Sequence, residues 1–268
     1  MEIPATYIRK YWFGTDDQDA IAKIVLLMER DRVEQYKAAL DITTNTFNGV
    51  FRGITGILGG EKISVIYSIG PAHIADCVSF LKDGFGVRTL ISTGSVGGLS
   101  TDIGDVVVSN SCTTQDAYSF ACFPGKVNRE KSLGYTLDID MENELQVSDT
   151  ITKKIRELYN CKIQYGKMFT IPAVSLENKK RLQEIQKRNY VALDLESGPF
   201  LAACKANNVR GFCIHWVTDL PLTRNFYYKY EGNPEIAKQD WDKKHRQWLN
   251  MPRMLLPIVC DLMTKSST

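Results

Sequence analysis

Short apolar runs alternate with amphipathic stretches along this chain, and the alternation predicts an α/β domain. Lys23-Ile-Val-Leu-Leu-Met28, Lys62-Ile-Ser-Val-Ile-Tyr67 and Arg88-Thr-Leu-Ile-Ser-Thr93 are short and apolar on both faces. Such runs fill strands covered on both sides. Gly104-Asp-Val-Val-Val-Ser109, Tyr190-Val-Ala-Leu-Asp194 and the stretch from Val209 to Thr218 read the same way. Between them, Ala72 to Asp83, Ser148 to Tyr159, Leu176 to Arg188 and Ser197 to Asn207 carry helical patterning. The last opens Ser-Gly-Pro, with Pro199 in the first turn, where its missing N–H costs little. A long amphipathic helix is expected over much of Pro234 to Lys265, broken around Pro252 and Pro257. Strands alternating with helices predict a mainly parallel sheet covered on both faces. No repeat or low-complexity linker divides the 268 residues, so a single domain is expected, with 1–22 as an N-terminal extension.

Composition narrows the function classes. Hydrophobic residues make up 44% and charged residues 24%, which excludes a disordered chain. The net charge of +2 provides no average attraction to nucleic acid or a membrane surface. The clusters Lys179-Lys180-Arg181 and Lys243-Lys244-His245-Arg246 fall on predicted helices and read as solvated faces. No apolar stretch approaches a membrane span, and the N-terminus has no apolar signal-peptide core. The expectation is a soluble, cytoplasmic protein. Seven cysteines without a C-x-x-C pair and three scattered histidines read as buried thiols without a structural metal or cofactor.

Ligands of open α/β sheets collect at the carboxyl ends of strands. Three segments have that placement. Ser68-Ile-Gly-Pro-Ala-His73 joins a strand to a helix. Thr93-Gly-Ser-Val-Gly-Gly98 reads as a loop in which Gly94 permits close backbone approach and Ser95 offers a hydroxyl. The third is a pair of acidic sites: Glu196 just before a helix, and Asp219 at the end of an apolar strand. An acid at a strand end is also a common helix N-cap.

In order along the chain, Met28-Glu-Arg-Asp-Arg-Val33, Ser68-Ile-Gly-Pro71, Thr93 to Gly98 with Ile103-Gly-Asp-Val-Val-Val108, Ala192-Leu-Asp-Leu-Glu-Ser-Gly198 and Val217-Thr-Asp219 resemble the nucleoside phosphorylase and nucleosidase superfamily. The resemblance runs from about Lys10 to Met263. It implies a mixed, mostly parallel sheet, partly closed into a barrel and flanked by helices. It also implies cleavage of a ribose–base bond in a purine nucleoside or nucleotide. Asp219 falls where the family places the acid that protonates the base, and Glu196 where a carboxylate holds the ribose hydroxyls. General acid help of that kind is worth roughly 10²–10⁴ in rate. Leu195 stands under the sugar, where many relatives have methionine. Phe169 and Val174 fall in the stretch that lines the base pocket by resemblance, although a core role for Phe169 fits equally well.

The nucleophile separates a hydrolase from a phosphorylase. Phosphate needs several donors in a small space. By resemblance Arg32 matches one phosphate arginine of the family, but Ser92 replaces the next, and Arg52 lies out of register with the third. The segment Met28-Glu29-Arg30-Asp31 resembles the loop of methylthioadenosine nucleosidases, making Asp31 the candidate base for water. AMP nucleosidases show a second close resemblance through their catalytic domain, with Arg30, Arg32 and Arg224 as candidates for a substrate 5′-phosphate. The hydrolytic reading is preferred. A phosphorylase using phosphate as co-substrate, and a catalytically inactive binding relative, are the alternatives. His73, at a helix start, is a candidate substrate or subunit contact beside a structural reading, and Asp116 a loop acid near the site mouth. Relatives are homo-oligomers, and Tyr7, Tyr11, Trp12 and Phe13 are interface candidates that could equally pack on their own domain.

Overall fold

The run from Lys23 to Met28 forms the central strand expected of it, and its neighbours in the sheet show why it is apolar on both faces. A computed structural model describes residues 3–28, 33–68, 70–142, 145–223, 235 and 250–263. The strands are β1 (Ile24–Met28), β2 (Ile42–Asn48), β3 (Arg52–Leu58), β4 (Glu61–Tyr67), β5 (Thr89–Thr93), β6 (Ser95–Gly98) and β7 (Val106–Ser109). They continue with β8 (Ser111–Thr114), β9 (Asn128–Glu130), β10 (Gly134–Asp140), β11 (Ile163–Tyr165), β12 (Met168–Thr170), β13 (Ala192–Asp194) and β14 (Arg210–Asp219). The helices are α1 (Ala5–Tyr7), α2 (Val33–Lys37), α3 (Gly70–Phe85), α4 (Ala117–Cys122), α5 (Asp149–Tyr159), α6 (Lys179–Gln186), α7 (Ser197–Ala206) and α8 (250–263).

Strands β4, β1, β5 and β14 lie side by side with parallel pairings. The hairpin β2–β3 extends one edge antiparallel to β4. On the other side, β14 pairs with β6, β6 with β13, β13 with β12 and β12 with β8. Strand β7 runs antiparallel to β14, and Asn110 joins it to β8. The ring β14–β6–β13–β12–β8 is therefore completed through the chain at Asn110, not by a ladder of hydrogen bonds. That is the sense in which the mixed sheet is a partly closed barrel.

Two apolar layers cover the sheet. On one face α3 and α7 pack together, placing Ile74, Val78, Leu81, Phe200 and Leu201 over Val25, Leu27 and Leu90. On the other, Tyr36, Ile155, Met254 and Leu255 cover Leu26, Ile91, Phe212 and Ile214. Residue parity on β1 explains both layers, because successive side chains point to opposite faces.

Two expectations are corrected. The glycine-rich segment after Thr93 is not a loop: it is β6, a continuation of β5 through the buried Gly94. Helix α8 runs unbroken through Pro252 and Pro257. Proline costs on the order of 3 kcal/mol inside a helix, but burial of Met251, Met254, Leu255, Ile258, Val259 and Leu262 stabilises by roughly 1.5–3 kcal/mol per side chain. The rest of the helix expected over Pro234 to Lys265, Glu235 apart, lies outside the described residues. In the N-terminal extension, Phe13 is fully buried and Trp12 stacks on Phe51 and Phe80, so both pack on their own domain. Tyr7 and Tyr11 are exposed and stacked on one another at 5.3 Å.

Candidate active site

Strand β6 lies between β14 and β13, and one of its residues aligns the two acidic segments. Gly97 is in register with Asp219 on β14 and with Leu193 on β13. Asp219 and Leu193 therefore stand two strand spacings apart, roughly 10 Å, and Glu196 follows Leu193 by three residues. The 23 residues separating the acids in sequence are taken up by α7 and β14.

Local irregularity aims Asp219. The β14–β6 register shifts between Val217 and Asp219, leaving Thr218 as the extra residue of a bulge. Bulges re-aim side chains at strand ends. Thr218 Oγ1 donates to Asp219 Oδ1 at 3.4 Å. Asp219 is not a helix N-cap, because a turn closed by Thr223 N–H to the Leu220 carbonyl follows it. The motif Ile103-Gly104-Asp105 holds this end of β14 from the side. Gly104 N–H donates to the Val217 carbonyl at 2.8 Å, and Val217 N–H to the Asp105 carbonyl at 2.9 Å. Gly104 has φ +94°, a conformation that side chains disfavour. Asp105 accepts from the backbone N–H groups of Lys162 and Asp102, so its role is structural.

Glu196 is half-buried at the N-cap position of α7, but its own side chain does not cap the helix. Asp194 does that work. Its carboxylate accepts from Ser197 Oγ at 2.5 Å, Ser197 N–H at 2.9 Å and Thr170 Oγ1 at 2.7 Å. Burial pushes its pKa up, with the hydrogen bonds from Ser197 and Thr170 opposing that rise. Behind it lies His215, fully buried, with Nδ1 3.8 Å from Asp194 Oδ2 and Nε2 3.4 Å from Ser92 Oγ. The first distance exceeds a hydrogen bond. Burial holds His215 down at about 3, so the ring is neutral.

Ser95 pairs with Trp216 and is half-buried on β6, and the Gly94 carbonyl accepts from Trp216 N–H at 3.1 Å. Leu195 is half-buried next to Glu196, and Val174 is half-buried at the start of a 3₁₀ turn. Phe169 is fully buried, packed edge-to-face on Tyr190 at 5.2 Å among Leu99, Ile171 and Leu182. Asp116 is the N-cap of α4, accepting from Ser119 N–H at 2.8 Å and from Thr114 Oγ1, and is not a free loop acid. His73 is exposed on α3. Asp31 and Arg32, with Glu29, Arg30 and Arg224, lie outside the described residues. Among the described residues, no group of three metal-ligating side chains converges, all seven cysteines are free thiols, and no helix is long and apolar enough to cross a membrane.

A family model for the phosphorylase superfamily matches residues 23–240. The chain belongs to this superfamily. Among curated superfamily members, it is 25% identical over 171 residues to the DeoD-type purine nucleoside phosphorylase of Shewanella sp. (strain MR-4), covering 62% of this chain and 67% of that one. A Helicobacter pylori MTAN mutant holding 5′-methylthioadenosine in its active site superposes with a TM-score of 0.64 at 17% identity, covering 90% of this chain and 99% of that one. Uridine phosphorylase from Vibrio fischeri ES114 gives 0.65 at 16%, covering 91% and 94%. Futalosine hydrolase of Helicobacter pylori strain 26695 gives 0.64 at 16%, covering 90% and 99%. Members that hydrolyse and members that phosphorolyse thus share this fold.

Sequence reasoning passed over Asp194 and Ser92 as interacting groups. The signal for Asp194 was present: an acid three residues before a helix-opening serine has helix-capping spacing. Nothing in the sequence pairs Ser92 with His215, since that contact spans 123 positions.

Proposed function

We propose that the protein cleaves the N-ribosidic bond of a purine nucleoside or nucleotide by hydrolysis. The observation that carries this reading is the shared register of Asp219 and the Glu196 segment on Gly97. Cleaving a ribose–base bond builds positive charge on the sugar and negative charge on the leaving base. An acid and a carboxylate flanking one site answer both charges. Asp219 protonates the base, and Glu196 grips the ribose hydroxyls and steadies the cationic sugar. Leu195 lies beneath the sugar, while Gly94, Ser95 and Val174 border the pocket. Asp31 activates the water, and Arg32 serves a phosphate group of the substrate where one is present. No cofactor enters this scheme, and cytoplasmic location and homo-oligomeric assembly belong to the same reading.

Hydrolysis is favoured over phosphorolysis by Ser92. It is fully buried against His215 and offers no positive charge to an incoming anion. Phosphorolysis is the second reading, supported by the likeness to DeoD-type purine nucleoside phosphorylases. Incubation with purine nucleosides and nucleotides, with and without inorganic phosphate, decides between them. Base release yielding free ribose or ribose 5-phosphate without added phosphate is expected. Release that requires phosphate establishes the phosphorylase, and absence of release from every substrate a binding protein.

A further inference from the structure

We propose that Asp194 is the positioning residue that fixes the conformation of Glu196, and through it the enzyme's demand for a ribose 2′-hydroxyl. The inference rests on the assignment of Glu196 to the sugar. It starts from where the Asp194 hydrogen bonds come from. One donor is the Ser197 peptide N–H, at 2.9 Å, and another is the Glu196 peptide N–H. These two peptide groups lie on either side of the Glu196 Cα. Tying both to one carboxylate sets the Glu196 backbone at φ −116° and ψ −30°. The direction of the Cα–Cβ bond follows from those two angles.

The carboxylate is itself held from three sides. Ser197 Oγ donates to Oδ2 and Thr170 Oγ1 to Oδ1, and Gly198 N–H donates to Thr170 Oγ1 at 2.9 Å. His215 closes the fourth side with a neutral ring. Asp194 retains only 6% of its exposure, so water does not replace a donor that is lost. The side chain of Glu196, by contrast, is half-exposed, and Leu195 N–H donates to its Oε2 at 3.2 Å. The aim of a sugar-binding carboxylate depends on where its backbone places Cβ. Asp194 fixes that placement without touching the substrate.

The test compares wild type, Asp194→Asn, Glu196→Gln and the double variant on adenosine and 2′-deoxyadenosine, with thermal melting in parallel. Asn keeps the shape but places an amide N–H against donors. The expected result is a drop of about 10-fold or more in kcat/KM for adenosine with Asp194→Asn, and a smaller drop for 2′-deoxyadenosine, which leaves Glu196 only the 3′-hydroxyl. In the Glu196→Gln background the same change should shift kcat/KM by less than about 3-fold, since both act on one contact. Should Asp194→Asn fail to fold, Thr170→Val removes one donor to the carboxylate and is expected to show the same ribose preference loss in weaker form. Equal losses on both nucleosides, or an undiminished effect in the Glu196→Gln background, overturn the positioning role. If Glu196→Gln itself leaves the ratio of the two nucleosides unchanged, the sugar assignment fails, and the role of Asp194 fails with it.

Discussion

Asp219 and Leu193 are both in register with Gly97, one on each side of β6. The relationship places the end of an apolar strand and the turn before α7 around one glycine. Asp219 is also the last residue of β14, and asparagine there keeps the backbone pairing with Gly97. Asp219→Asn should therefore lower base release by roughly 10²–10⁴-fold while leaving the melting temperature within a few degrees. Steady-state kinetics beside thermal denaturation checks this. Retained turnover would remove Asp219 as the acid.

Gly97 tolerates no side chain. A Cβ there would lie 2.5 Å from Pro221 Cγ and 3.0 Å from its Cδ, and the rigid proline ring cannot swing aside. Gly97→Ala should cost about 1–3 kcal/mol through overpacking. Because the displaced ring is two residues from Asp219, turnover should fall more than stability predicts. Urea titration and kcat on the same preparation measure the two effects. A variant with unchanged stability would mean that the 220–223 turn yields freely.

Much of the fold was legible in the chain because its central strands are apolar on both faces. β1, β4, β5 and β14 stand where the short hydrophobic runs put them. The hairpin β2–β3 was not legible. Ile42–Asn48 alternates at an exposed edge with polar residues such as Thr43 and Asn45, and its burial depends on a partner strand. The glycine segment misled for a related reason. Gly97 and Gly98 suggest a loop, yet their small size serves close packing against Pro221, Thr101 and Val217 within a strand. At the site, Asp219 and Glu196 were visible as acids at element boundaries, whereas the Asp194–His215–Ser92 line joins three strands and has no local signature.

Phe169 separates a core role from a base-stacking one. Its ring is fully buried against Tyr190, Leu182 and Ile185. Phe169→Leu should cost no more than about 1.5 kcal/mol if the core repacks around it and leave KM unchanged. Phe169→Ala should cost about 3–5 kcal/mol. A large rise in KM with Phe169→Leu at unchanged stability would return the ring to the pocket.

His215 makes stability depend on pH, and the sign follows from burial. Its pKa is lowered from 6.5 to about 3 in the folded chain. The unfolded chain takes up a proton as pH falls through 6.5, and the native state does not until near 3. More protons are bound unfolded in that window, so stability is lost as pH falls. Each pH unit well inside it removes about 1.4 kcal/mol. Asp194 acts in the opposite sense, since its raised pKa lets the native state take a proton before the unfolded chain does. Comparing wild type with His215→Gln, which keeps a polar partner for Ser92, removes the histidine contribution alone. Urea unfolding at pH 7.5 and 5.0 should show wild type losing roughly 2 kcal/mol more than the variant over that interval. Identical losses in the two proteins would mean that His215 takes up its proton in the folded state, paired with Asp194 across 3.8 Å.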